Sequence, residues 1–105
     1  MIQSICMVQA GQIPPQTEAS LRAGLNAFTE KAFGEPAEIR WVAVPEGSGF
    51  TAGNPSRSSV VSITANESLD PDRREELLLE LCEFWIKETE CSIDEVVGVL
   101  NDPPA

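Results

Sequence analysis

Ile39-Arg40-Trp41-Val42-Ala43-Val44-Pro45-Glu46-Gly47-Ser48-Gly49-Phe50-Thr51-Ala52-Gly53 carries the strongest structural signal in the chain. Its first six residues are mostly β-branched or aromatic and hold a single cation, which predicts a strand over 39–44, ended by Pro45. A glycine-rich loop follows and presents one aromatic ring, Phe50. Gly47, Gly49 and Gly53 permit the positive φ of a hairpin. They do not form G-x-G-x-x-G between a strand and a helix, so nucleotide binding is not indicated.

Upstream, Ile2 to Val8 alternates loosely and becomes apolar on both sides toward its end, which predicts a strand covered on two faces. Pro14-Pro15 punctuates the chain. Leu21, Leu25, Phe28 and Ala32 then recur at helical spacing, predicting a helix over Thr17 to Phe33 that Gly34-Glu35-Pro36 stops. Gly24 lies inside it, at a cost of about 1 kcal/mol relative to alanine. Downstream, Ser58 to Ala65 reads as a strand. Asp70 stands as N-cap, Pro71 takes the first helical position, and Asp72, Glu75 and Glu76 sit at the positive end of the helix dipole. Leu77, Leu78, Leu81, Cys82, Phe84 and Trp85 form one wide apolar face that needs a sheet to cover. Val96 to Leu100 supplies the last strand.

The two halves repeat. A shift of 56 residues places Pro15 on Pro71, Leu21 on Leu77, Leu25 on Leu81, Phe28 on Phe84 and Val44 on Leu100. The expectation is one α/β (α+β) domain over 1–105, made of two β-α-β units (1–57 and 58–102) and a short tail (103–105). They form a four-stranded mixed sheet with both helices on one face. The other face is then bare and apolar, so self-assembly is expected.

Composition narrows the function. Seven cations stand against 17 carboxylates, a formal charge of −10, which repels nucleic-acid phosphates and anionic lipid. Neither nucleic acid nor membrane is an expected partner, and a small anionic ligand needs a locally positive pocket. No apolar run approaches the ~20 residues of a membrane span. The start shows no targeting segment, so a cytoplasmic location is expected. Cys6, Cys82 and Cys91 are odd in number, lack C-x-x-C spacing and occur without histidine. No metal site, disulfide framework or cofactor is expected, and Cys6 and Cys82 read as small buried hydrophobes. Trp41 and Trp85 read as core.

The 39–53 stretch resembles the corresponding strand and loop of 4-oxalocrotonate tautomerase and its relatives. There, an arginine on the strand holds a substrate carboxylate and a phenylalanine in the loop lines the pocket, the positions of Arg40 and Phe50 here. The doubled β-α-β pattern is similar to the fused members of the tautomerase superfamily, over essentially the whole chain. These include the macrophage migration inhibitory factor, malonate semialdehyde decarboxylase and cis-3-chloroacrylic acid dehalogenase groups. The resemblance implies a homotrimer with inward-facing sheets and a site at the start of strand one near a subunit boundary. The family uses an amino-terminal proline as proton carrier. Met1 stands at that place, and its primary amine, with a reference pKa of ~7.7–8.0, can accept a proton when neutral.

Gly11-Gln12 falls where the family carries Gly-Arg, so Gln12 replaces a cation in the implied substrate site. Glu67-Ser68-Leu69-Asp70 stands where fused dehalogenases carry arginines. Arg73 and Arg74 read mainly as surface partners of Glu76, Glu80 or Asp70. Without the resemblance, Arg40 reads equally as an outward residue paired with Glu38, and Phe50 as a loop anchor. The implied function is tautomerase-like, a weak keto–enol isomerisation of a small 2-oxo or enol carboxylic acid. Met1 would be catalytic, with Arg40, Phe50 and Gln12 binding substrate. The alternative is a non-catalytic scaffold of the same fold that binds a small anion or a protein partner.

Overall fold

Prolines set where both helices begin. The computed structural model describes residues 1–51 and 53–104; Ala52 of the glycine-rich loop and Ala105 of the tail lie outside the described residues. Helix α1 runs Pro15–Phe33 and α2 runs Pro71–Thr89. Both starts and both ends therefore keep the 56-residue offset read from the sequence. Helix α1 begins two residues before the expected Thr17, because proline at the first helical position lacks only an N–H that has no helical partner there. The N-cap of α2 is Asp70, whose side chain accepts from the Arg73 N–H at 2.8 Å.

The strands are β1 (Ile2–Gln9), β2 (Ala37–Val44), β3 (Phe50–Thr51), β4 (Asn54–Pro55), β5 (Ser59–Thr64) and β6 (Val96–Asn101). The main sheet has the order β2-β1-β5-β6, with β1 and β2 parallel, β5 and β6 parallel, and β1 antiparallel to β5. These are two β-α-β units joined through their first strands, as expected. The glycine-rich loop folds into the small β3–β4 hairpin, with positive φ at Gly47 and Gly53.

Alternation along β1 decides which face the helices cover. Ile2, Cys6 and Val8 are buried and share a core with Leu21, Leu25 and Phe28 of α1, Val61 and Ile63 of β5, and Leu77, Leu81 and Trp85 of α2. Burial of Cys6 pushes its thiol up to about 12, with Arg22 working weakly against it; this thiol is a core group. Cys82 is only half-buried, a departure from expectation, because it lies against the glycine of β6, Gly98, rather than under a side chain. Trp85 is fully buried. Trp41 is half-buried at the β2 edge, with ring centroids 6.3 Å apart between the two indoles.

Gly24 has a packing reason. A methyl group there would come within 2.2 Å of the Phe84 ring, so the missing side chain lets α2 close on α1. Overpacking of this kind costs typically 1–3 kcal/mol, against about 1 kcal/mol gained in helix propensity. Gly24→Ala is therefore expected to lower stability by about 1 kcal/mol or more in urea unfolding, and Phe84→Leu in the same chain to recover part of the loss. An unchanged midpoint for Gly24→Ala would contradict this contact.

Candidate functional site

Strand β1 separates the expected site residues. Met1 precedes its first residue and Gln12 follows its last, so roughly 25 Å of extended chain lies between them. Arg40 is in register with Ile5 near the middle of β2. Its side chain is exposed on the sheet face away from the helices. Phe50 opens the hairpin beyond the end of β2, at the Gln12 end of the sheet, and is 68% exposed. One copy of the chain brings Gln12 and Phe50 to the same end and leaves Met1 at the other.

At the Met1 end, the terminal ammonium donates to Glu35 Oε1 at 2.7 Å. Asn66 Nδ2 donates to Glu35 Oε2 at 2.7 Å and to the Phe33 carbonyl at 3.0 Å. The hydrogen bond from the Met1 ammonium, that from Asn66 and the ammonium charge together hold the Glu35 carboxyl below its usual range. Glu35 belongs to the helix-stopping Gly34-Glu35-Pro36 segment, and its link to the amine was not legible in spacing or composition.

At the other end, two glutamines tie β1 to the loop of 46–58. Gln9 is 3% exposed; its Oε1 accepts from the Gly47 N–H at 3.2 Å and its Nε2 donates to the Ser56 carbonyl at 2.6 Å. Gln12 accepts from the Gln9 N–H at 2.9 Å and donates through Nε2 to the Arg57 carbonyl. Gly49 is needed here because a methyl group would meet Gln9 Nε2 and the Ser56 oxygen at 2.7 Å. Thus Gln12 is a strut of the loop. Gln9 was missed because polarity alone reads as surface; the signal was the Gln9-x-x-Gln12 spacing around Gly11, which has positive φ.

Among the described residues Arg40 enters no ion pair. Glu38, its expected partner, accepts instead from Gln3 Nε2 at 2.5 Å. Arg40 shares its sheet face with Ile5, Met7 and Val97, all exposed. Arg73 pairs with Glu76 at 3.4 Å, as expected. Arg74 departs from expectation: its guanidinium turns to the Leu100 carbonyl at 2.6 Å, the Leu69 carbonyl at 3.2 Å and Asp102 at 2.7 Å, pinning the end of β6 to the start of α2. The Leu69 N–H and Arg74 hold the Asp102 carboxyl below its usual range. No described helix is long and apolar enough to cross a membrane, and no group of potential metal ligands gathers among the described residues.

No family model matches the sequence, and no curated protein does. Solved structures do. A fused 4-OT, a symmetric trimer, matches at a TM-score of 0.82 and 16% identity, over 97% of this chain and 85% of its own. The chain has the tautomerase fold. N1, a member of the cis-3-chloroacrylic acid dehalogenase family, matches at 0.79 and 18%, over 97% and 75%. A macrophage migration inhibitory factor-like protein from Entamoeba histolytica matches at 0.76 and 13%, over 97% and 88%. At these identities the likeness is one of fold, and it upholds the architecture inferred from the 39–53 stretch and the repeat.

Carboxylates held below their usual range stabilise the fold above their unfolded values, and this contribution is lost as pH falls through the folded ones. Between about pH 5 and pH 3, stability carried by Glu35 and Asp102 should therefore decline. Urea midpoints measured at both pH values are expected to fall less steeply in Glu35→Gln and Asp102→Asn than in the parent. Parallel slopes would mean these contacts do not persist in solution.

Proposed function

We propose that this chain is a tautomerase-like protein that assembles as a homotrimer through its open sheet face and acts weakly on a small 2-oxo or enol carboxylic acid. In this reading Arg40 holds the substrate carboxylate, Phe50 supplies an apolar wall, and the Met1 amine carries the proton. The observation that supports it best is Arg40 itself. It is a guanidinium that enters no ion pair among the described residues, on a sheet face whose apolar residues call for cover, and a cation enclosed without a counter-charge is costly. A bound carboxylate supplies that charge through two parallel hydrogen bonds. Because Met1, Arg40 and Phe50 are spread along one chain, the site is completed by neighbouring copies.

A second reading, a binding scaffold without catalysis, is favoured by two contacts. The Met1 amine is engaged by Glu35 and must leave it before it can take a proton, and Gln12 is committed to the Arg57 carbonyl. Proton transfer is correspondingly expected to be slow.

Ketonisation of phenylenolpyruvate, followed by ultraviolet absorbance, separates the readings. The parent is expected to exceed the blank, and Arg40→Ala to remove the excess. Ile2 is 1% exposed in the core, so a proline is best placed as Met1→Pro behind a removable initiator methionine. That variant is expected to gain about tenfold or more, about 1.4 kcal/mol of barrier. Arg40-dependent binding of the product acid with no turnover in either chain would establish the scaffold reading.

The assembly is checked separately. Light scattering is expected to report three copies of the 11.4 kDa chain, and Ile5→Glu, which places a charge in the open face, is expected to yield monomers. A monomeric parent at micromolar concentration would remove the trimer and the shared site with it.

A further inference from the structure

A cleft lies at the far end of β1 from Met1, beside the β3–β4 hairpin. It measures about 720 Å³, within the usual range for small-molecule sites, and its lining includes Gln9, Glu46, Gly47, Arg57, Asp94 and Glu95. Its floor is built. Gln9 is nearly completely buried and has both ends of its amide fixed, to Gly47 and Ser56. Gln12 fixes the Arg57 backbone in turn.

Charge is distributed unevenly around this frame. Arg57 is exposed and enters no ion pair among the described residues. The nearby acid Glu95 is already engaged, accepting from the Ser92 N–H at 2.9 Å in a capping box that closes the turn before β6. Glu46 and Asp94 line the same cleft. Hydrogen bonds from Ser92 and, after them, the Arg57 charge hold the Glu95 carboxyl below its usual range. Arg57 forms no direct ion pair among the described residues, however, and so still has donors to offer a carboxylate. The surrounding acids disfavour a ligand that is anionic as a whole and favour one that also carries a positive group.

We propose that this cleft binds a small zwitterion, with its carboxylate on Arg57 and its ammonium toward Glu46 and Asp94. The ligand class is that of an amino acid or a molecule of similar size with one group of each sign. The remaining space admits a side chain.

The test uses the full chain labelled with ¹⁵N and three probes, L-phenylalanine, phenethylamine and 3-phenylpropanoate, which carry both charges, the cation alone and the anion alone. Phenylalanine is expected to give saturable shifts at the Gly47, Gly49 and Arg57 amides and to bind more tightly than either single-charge probe. Arg57→Gln is expected to weaken phenylalanine about tenfold or more, the equivalent of a lost charged hydrogen-bond pair, and to leave phenethylamine unchanged. Glu46→Gln combined with Asp94→Asn is expected to reverse that selectivity in favour of phenylpropanoate. Shifts that stay linear in phenylalanine concentration, or that survive unchanged in Arg57→Gln, would overturn the proposal. So would equal weakening of all three probes in both variants, since that reports a distorted cleft rather than charge recognition. None of these outcomes depends on ketonisation or on Arg40.

Discussion

Two helices can cover only one face of a four-stranded sheet, and most of this molecule follows from that shortage. On the covered face, β1 and β5 present residues that alternate inward, and the helices close over them tightly enough that Gly24 must yield space to Phe84. The uncovered face carries Ile5, Met7 and Val97 beside a cation, Arg40, and these would be poor company for water if left open. The same alternation that builds the core on one side thus leaves large apolar residues exposed on the other.

The frame was legible in the sequence for physical reasons. Proline and an N-cap acid punctuate helices because they match the backbone's missing or unsatisfied donors, and the 56-residue offset put the same punctuation at Pro15 and Pro71. Strand pairing followed from the β-α-β order and its handedness. The ends of the strands were less legible. Gln9, Gln12 and Arg74 act through carbonyls and N–H groups far away in sequence, at 47, 45 and 26 residues' separation for the bonds to Ser56, Arg57 and Leu100. A side chain's choice among distant backbone partners leaves no periodic trace.

Of the candidate residues, the sequence made legible only their elements: Arg40 lies on a strand and Phe50 in the loop that follows it, and among the described residues Arg40 enters no ion pair. What spacing could not convey is that Glu35 engages the Met1 amine and that Gln12 serves the loop. Both are contacts between residues whose types suit many partners, and only the folded chain chooses among them. Polar struts of this kind fix the glycine-rich loop to β1 at Gly47, Ser56 and Arg57.

The chain contains two tryptophans and no tyrosine, and the two indoles lie 6.3 Å apart, Trp41 on β2 of the first repeat and Trp85 on α2 of the second. Its intrinsic emission therefore comes from one spot, the seam between the halves. A change in brightness or colour would signal that the repeats have moved relative to each other. Trp41 also lines a pocket with Val8, Gln9 and Ala43, so this built-in optical gauge reads the joint between the repeats and the end of β1 where the glutamine brace begins.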